Sequence, residues 1–473
     1  MMRKYAWLTI CVTVLGGSRV MAQPPVPPQG PVAPYMPYTV PLTSGQPRVP
    51  AQDAGEPYLV QPDVPSKESS RPPQPEPKPP TTVVESLGRL VEYAFSPDPN
   101  EPYTTYEGRP YQSAIRHDNS RMWTQGNYIH WWVRRDSVPP LATTGTTGVF
   151  GAPDTTVLLG DGGIAPKEFS GAQATIGMWL DAERLQSLEL SGFFLGKVGR
   201  QYGFASDAGG TPLLAQPVLI PAEGRFAFAS PGGATGSINV SNVMDMHGLE
   251  LNVARNVYRI NGWSMDTIIG ARYAYLNDTL NSNINTTSLA PGFDFLGAPQ
   301  PAGANFVIND SFNITNRFYG GQIGARFGFA WCRLDFAVTT KIAFGATHQV
   351  GIVDGTTTLN LAGVSNTAPG GLLAQTSNIG NQSSTVFSVL PEVTANWGFQ
   401  ITPRIRMLAG YTFLYWNRIQ RAGDQIDRQI DLASQVPTSP TFTPGTSGPR
   451  PSYPSNRTEF WAQGINLGVE LKY

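Results

Sequence analysis

Between Met122 and Tyr473 the chain repeats one pattern. Strand-sized segments alternate apolar and polar residues, and the connections between them alternate long and short. Residues 135–168, 200–235, 278–310, 348–383 and 420–457 are long connections. Asp181 to Gln186, Asn256 to Gly262, Ala330 to Cys332 and Gln400 to Pro403 are short. An antiparallel sheet with tight turns at one end and long loops at the other is what a membrane barrel presents, turns in the periplasm and loops outside. A soluble sandwich has no reason to sort its loops this way. No apolar run reaches the ~20 residues that a transmembrane helix needs. The expected fold class is all-β: an antiparallel transmembrane β-barrel of about ten strands. Twelve strands is the alternative, if the long fourth segment divides and residues 349–360 add a hairpin.

The segments fall near 122–134, 169–181, 186–199, 236–257, 262–277, 311–330, 332–347, 384–400, 403–419 and 459–473. Side chains alternate faces along a strand. In the first segment Trp123, Ile129, Trp131 and Val133 share a face; in the third, Leu188, Leu190, Phe194 and Val198 do. The fourth changes phase near His247-Gly248, which predicts a bulge. The last places Trp461, Ile465, Leu467, Val469, Leu471 and Tyr473 on one face, and Ala462, Gly464, Asn466, Gly468, Glu470 and Lys472 on the other. Such a strand is expected to close the barrel beside the first, with Leu467, Val469, Leu471 and Tyr473 read by the barrel-assembly machinery. Trp263, Tyr275, Trp397, Phe399, Tyr415, Trp461 and Tyr473 lie near strand ends, where aromatic rings form the girdles at the headgroup level.

The other face carries small, amide and charged residues. Glu189, Asp266, Arg272, Arg326, Arg333, Asp335, Lys341, Glu392, Arg404, Arg406 and Glu470 are the candidate lumen residues, with Glu250, Gln322 and Lys472 beside them. Their signs are balanced. Ten strands enclose a lumen only modestly wider than that of an eight-stranded barrel, which side chains fill. Opposite charges can therefore pair across it, and a mostly plugged interior is expected rather than a wide channel.

Before the barrel, Arg3 and Lys4, the apolar Leu8–Leu15 stretch and Val20-Met21-Ala22 read as a signal peptide over residues 1–22. Cys11 sits within that apolar core behind Ile10, which argues against a lipid-modified cysteine. If it leaves with the signal, Cys332 remains alone and no intramolecular disulfide forms. Residues 23–80 are a Pro-rich linker, expected disordered and extended, with a reach on the order of 180 Å at ~3.1 Å per residue. It is a spacer, or a tether to the cell wall. In 81–120, Val84, Leu87, Val91 and Phe95 predict a short amphipathic helix followed by a polar connection, and 121–473 forms the barrel. Charged residues make up only 14% and the net charge is −1, which argues against nucleic acid as a partner. The expected partner is outer-membrane lipid, and the expected location is the outer membrane after export.

Several stretches carry a family resemblance. N-R-F-Y-G-G-Q-I-G-A-R (316–326), G-L-L-A-Q-T-S-N-I-G (371–380), P-E-V (391–393), Y-T-F-L-Y-W-N (411–417), G-D-Q-I-D-R (423–428) and F-W-A-Q-G-I-N-L-G-V-E (460–470) occur in order. Over Met122 to the C-terminus the chain resembles a family of porin-like outer-membrane β-barrel proteins numerous in planctomycetes. The resemblance implies a barrel and no reaction, so it carries over no catalytic residue.

Conventional catalytic motifs are absent. His117, His130, His247 and His348 show no metal-ligand spacing, and no G-x-S-x-G elbow occurs. His348 is placed at the outer rim with Asp354, Asp424, Asp427 and Asp431 in neighbouring loops. By position this resembles the Asp/His pairs of omptin-type barrel proteases, in which a carboxylate-oriented imidazole activates water. The same residues serve equally as loop-base hydrogen-bonding groups. No cofactor or metal is expected. The expected function is non-enzymatic: anchoring, or narrow-pore passage of small solutes. A rim hydrolase and a ligand-binding or adhesion barrel are the alternatives.

Overall fold

A computed structural model describes residues 120–164, 168–220, 222–295, 298–431 and 448–473. The expected signal peptide, Pro-rich linker and helix near 81–95 lie outside the described residues. In chain order come β1 (Met122–Val133), β2 (Asp136–Val138), β3 (Ala142–Gly145), β4 (Thr155–Leu159), β5 (Gly162–Ile164), β6 (Glu168–Trp179) and β7 (Gln186–Ala205). Then follow β8 (Leu214–Ile220), β9 (Ala222–Ala229), β10 (Ala234–Ile260), β11 (Trp263–Ser288), β12 (Phe293–Phe295) and β13 (Ala298–Gln300). The last are β14 (Asn305–Trp331), β15 (Leu334–Leu361), β16 (Val364–Pro369), β17 (Gly380–Thr402), β18 (Ile405–Ile419) and β19 (Thr458–Lys472).

Ten of these strands close a ring in the order β1, β6, β7, β10, β11, β14, β15, β17, β18, β19, and β19 pairs back onto β1 with Tyr128 opposite Leu467. Every neighbouring pair is antiparallel, so the even count returns the chain to its starting end. The turn between β10 and β11 is Asn261-Gly262, both at positive φ (51° and 79°). That dipeptide suits the mirror-image turn whose twist matches a tight hairpin.

The wall reverses its polarity partway up. Along the lower part of β11 the outward residues are Trp263, Met265, Ile269, Tyr273 and Tyr275, while Arg272 is buried inside. Above Tyr275 the outward residues become Asn277, Thr279, Asn281, Asn283, Asn285 and Thr287, and the buried ones Leu276, Leu280 and Ile284. Trp263 to Tyr275 spans twelve steps of strand. At ~3.4 Å per residue and a ~40° tilt this is ~31 Å along the barrel axis, the thickness of a bilayer core. The lower half is thus shaped for lipid, and the upper half for water around an apolar interior.

This reversal corrects the expectation for the fourth segment. No bulge occurs at His247-Gly248: β10 and β11 stay in register there, with His247 opposite Tyr275 and Gly248 opposite Ala274. The apolar set changes face because the strand leaves the membrane, not because the backbone slips. A register shift does lie close by, between Met244 and Met246 where β10 meets β7, with the extra residue in β7 opposite Asp245; another lies between Asn256 and Tyr258. The first of them turns Val198 inward against Met244, away from the face of Leu190 and Phe194. The face of β1 that carries Ile129, Trp131 and Val133 is likewise buried inside. Residues 349–360 continue β15: Gln349–Val353 still pair with β17, and from Thr356 the strand pairs with β16, adding a hairpin flap rather than barrel strands.

The described parts of the long loops are folded. The first two pair as a four-stranded sheet, β4-β3-β8-β9, and Leu219 bridges to Gln429 of the last loop. Their apolar faces join the upper strands in one core containing Leu141, Val218, Phe228, Phe306, Phe312 and Leu372.

Candidate functional site

The barrel interior holds nearly all the residues expected to face it. At the turn end, Arg406 on β18 pairs with Asp335 on β15 and with Glu470 on β19, the latter at 2.8 Å. Arg326 on β14 reaches Glu189 on β7 through two bonds of 2.9 and 2.7 Å, with Asp266 at 3.6 Å. Two intervening strands separate β14 from β7, so this fork crosses the lumen as a chord.

One layer higher, two acids and two bases from four strands form a quartet. Lys341 lies 2.7 Å from Glu250 and 2.8 Å from Glu392. Arg272 lies 2.5 Å from Glu392 and 3.4 Å from Glu250. Gln322 donates to Glu250 at 2.9 Å. Alternation along each strand points these groups inward, and the small bore brings them into contact. Desolvating two charges is offset only where each is paired and hydrogen-bonded; Arg272 meets this through its bond to Glu392, while its Nε and Nη1 have no hydrogen-bond partner among the described residues. Between the quartet and the turns lies a polar cavity of about 260 Å³, reached by Gln125, Gln173, Thr394 and Asn396.

Above the quartet the lumen is apolar. Trp131, Phe193, Met246, Phe318, Trp416 and Phe460 pack together, each no more than 9% exposed. Their polar edges are satisfied: Trp131 Nε1 donates to Asn466 at 2.9 Å, and Trp416 Nε1 to Thr347 at 3.0 Å. Next, already above the membrane band, Arg421 Nε donates to Asp278 at 2.7 Å and lies 3.9 Å from Asp136. Gly423 N–H donates to Asp136 at 2.9 Å, which fixes the last loop to the first. Burial raises both carboxyls, but the Arg421 guanidinium outweighs it at Asp278 and holds that group below its ordinary range. At Asp136 burial, together with the Asp278 charge, wins, and its carboxyl stands well above its ordinary value. Beyond this cluster the apolar loop residues pack against the inward faces of the upper strands.

Arg333 and Arg404 differ from expectation. Their parity matches the inward set, but both lie beyond strand ends, in the β14–β15 and β17–β18 turns, and Arg333 donates to the Ile401 carbonyl at 3.4 Å. Leu467, Val469, Leu471 and Tyr473 all face outward and are exposed, and Tyr473 Oη meets Thr124 Oγ1 at 2.9 Å across the closing seam. The rim constellation is dispersed. His348 lies on the outer wall, its Nδ1 3.1 Å from Thr385 Oγ1. Asp354 accepts from Gly355 N–H, and Asp427 from Ser452 and Arg450. Asp424 lies near Arg421, and burial raises its carboxyl above the usual range. Among the described residues no group of three His, Cys, Asp or Glu is spaced to hold a metal ion.

Sequence reasoning missed Asp310. It is buried in the upper barrel, where its Oδ1 accepts N–H bonds from Leu373 (3.0 Å) and Ala374 (2.7 Å) of the 371–378 turn. Burial pushes its carboxyl up to about 6. A raised folded value means that docking of this turn is strongest below the ordinary value of 3.8 and loses that increment as pH rises through 6. The docking equilibrium is expected to strengthen about tenfold per pH unit between roughly 6 and 4. Hydrogen exchange of the Leu373 and Ala374 amides reads this directly, and Asp310→Asn should flatten the dependence.

Comparison with known proteins gives a family. Residues 123–473 match the family described as "Putative beta barrel porin-7 (BBP7)". No curated protein matches the chain. Similar solved structures include the outer-membrane protease OmpT from Escherichia coli, 8% identical with a TM-score of 0.35, covering 76% of this chain and 98% of that one. The toluene transporter TodX from Pseudomonas putida is also 8% identical, with a TM-score of 0.19, covering 75% and 90%.

Proposed function

For a chain that belongs to the family described as "Putative beta barrel porin-7 (BBP7)", and so is an outer-membrane β-barrel protein, we propose a sealed barrel. It anchors a folded external cap in the outer membrane and conducts no solute in this state. The observation that carries the reading is the succession of fillings in one bore: the charged quartet, the Trp131–Trp416–Phe460 layer, the Arg421 cluster and the loop core. A pore needs a continuous polar path, and the aromatic layer interrupts it with fully buried side chains. The reading is non-enzymatic, since the His348 and Asp side chains that a rim hydrolase would need are engaged separately.

Side-selective labelling tests it. In a Cys332→Ser background, Thr394→Cys lies in the turn-side cavity. A membrane-impermeant maleimide is expected to label it from the periplasmic face of oriented vesicles and not from the external face. Equal labelling from both faces would contradict a sealed bore.

A further inference from the structure

The outer wall formed by β10, β11, β14 and β15 has three chemistries stacked in height. Lowest is the lipid-facing band, with Leu249, Ile269, Tyr319 and Phe344 exposed. At its upper margin one cross-strand row reads His247, Tyr275, Arg317, His348. His247 stacks on Tyr275 with ring centroids 4.4 Å apart, and the Arg317 guanidinium lies 5.8 Å over the same ring. Arg317 makes no ion pair among the described residues.

Above the row, Asn277 to Thr287 on β11 and Asn305 to Thr315 on β14 offer only Asn, Thr and Ser outward, with Val307 the exception and no charge. Val243 and Asp245 on β10, and Val350, the exposed Ile352 and Asp354 on β15, border this field. Its side chains are tied across the strands: Asn283 donates to Asn309 at 2.6 Å, Ser311 to Asn281 at 2.7 Å, Thr315 to Asn277 at 3.0 Å and Thr279 to Asn313 at 3.2 Å. A groove of about 270 Å³ meets it, lined by Gln201, Asn239, Asn281 and Asn309 and, from the inward face, by Ser282 and Asp310.

Asn is depleted in strands, and packing here is supplied from the inward face, so folding does not account for the amide field. Twelve steps of β11 from Tyr275 to Thr287, at ~3.4 Å and a ~40° tilt, carry it ~31 Å above the aromatic row, far beyond a phospholipid headgroup layer of ~5–8 Å. We propose that this wall binds a phosphorylated glycolipid of the outer leaflet. Its acyl chains lie on the apolar band, its phosphate at Arg317 between His247 and His348, and its neutral sugars along the Asn/Thr field. Arg is suited to phosphate geometry, and a preformed amide and hydroxyl array hydrogen-bonds sugar hydroxyls with little ordering cost. The inference rests on the outer-membrane reading but not on the sealed bore.

The test titrates the detergent-solubilised full chain with three probes: lipopolysaccharide, lipid A without oligosaccharide, and phosphatidylglycerol. Affinity is expected to fall in that order. Arg317→Gln should weaken lipopolysaccharide and lipid A about equally, on the order of tenfold. Asn281→Val with Asn283→Val and Asn309→Val should bring lipopolysaccharide down to the lipid A affinity and leave lipid A unchanged. Val suits a strand, and an unaltered heat-dependent gel shift verifies folding; the single Asn283→Val gives a smaller shift of the same sign. Equal affinity for lipopolysaccharide and phosphatidylglycerol would overturn the proposal. So would a triple variant that loses a dimer in sedimentation while binding lipopolysaccharide as before, which would make the field a contact between two copies.

Discussion

Arg421→Ala is expected to release the outer plug. The Arg421 side chain is 1% exposed and is the only cation within 4 Å of Asp278 among the described residues, with Asp136 beside it. Removing one partner of a buried pair costs ~3–5 kcal/mol, because the remaining charge is left desolvated. Amide exchange over residues 420–431 should therefore accelerate on the order of 10²–10⁴-fold. The pH dependence should also invert. In the natural chain Asp278 is held low by Arg421, so its contribution is present above the ordinary carboxylate value and is lost as pH falls through the depressed one. In the variant, burial is opposed only by the Ala422 and Asn242 hydrogen bonds and is expected to raise the group, so the defect should shrink as pH falls. An exchange profile indifferent to pH would show that Arg421 acts by packing, for instance against the Phe460 ring 5.8 Å away.

The second large effect is expected at Arg272, whose side chain is also 1% exposed. Arg272→Met leaves Glu250 and Glu392 to share Lys341. The cost is again ~3–5 kcal/mol, now in the membrane-embedded half, and should appear as a lowered urea midpoint for loss of the heat-modifiable band. Adding Glu392→Gln returns the site to one acid and one base, the Lys341–Glu250 pair at 2.7 Å. The double variant should be more stable than Arg272→Met alone, a coupling that only contacting residues show. Additive losses would place the two groups in separate environments.

How much of this was legible in the sequence follows from the surroundings of each residue. Ile465, Leu467, Val469 and Leu471 face lipid, and the inward positions between them are small or charged, so β19 announces itself by alternation. The upper halves of β10, β11, β14 and β15 do not. There Leu276, Leu280 and Ile284 alternate just as well, but they face a core, so periodicity alone assigned part of them to loops and read a change of solvent as a change of register. Parity found Arg272, Lys341 and Glu392, whereas Arg333 and Arg404 kept the right parity past the end of the strand. The Arg421–Asp278 contact joins residues 143 apart through a loop, and nothing local marks it. Asp310 sat inside what read as the end of a loop, and only the turn folding over it makes it a buried acid.

The sealed bore is tested most directly by single-channel recording of the chain in a planar bilayer, alongside a variant lacking the aromatic layer through Trp131→Ala, Phe318→Ala and Trp416→Ala. With insertion of both verified by protection of the barrel from protease, the natural chain is expected to stay silent and the variant to show brief openings. Steady discrete steps from the natural chain would contradict the account, because ions would then be crossing a layer whose side chains are fully buried against one another.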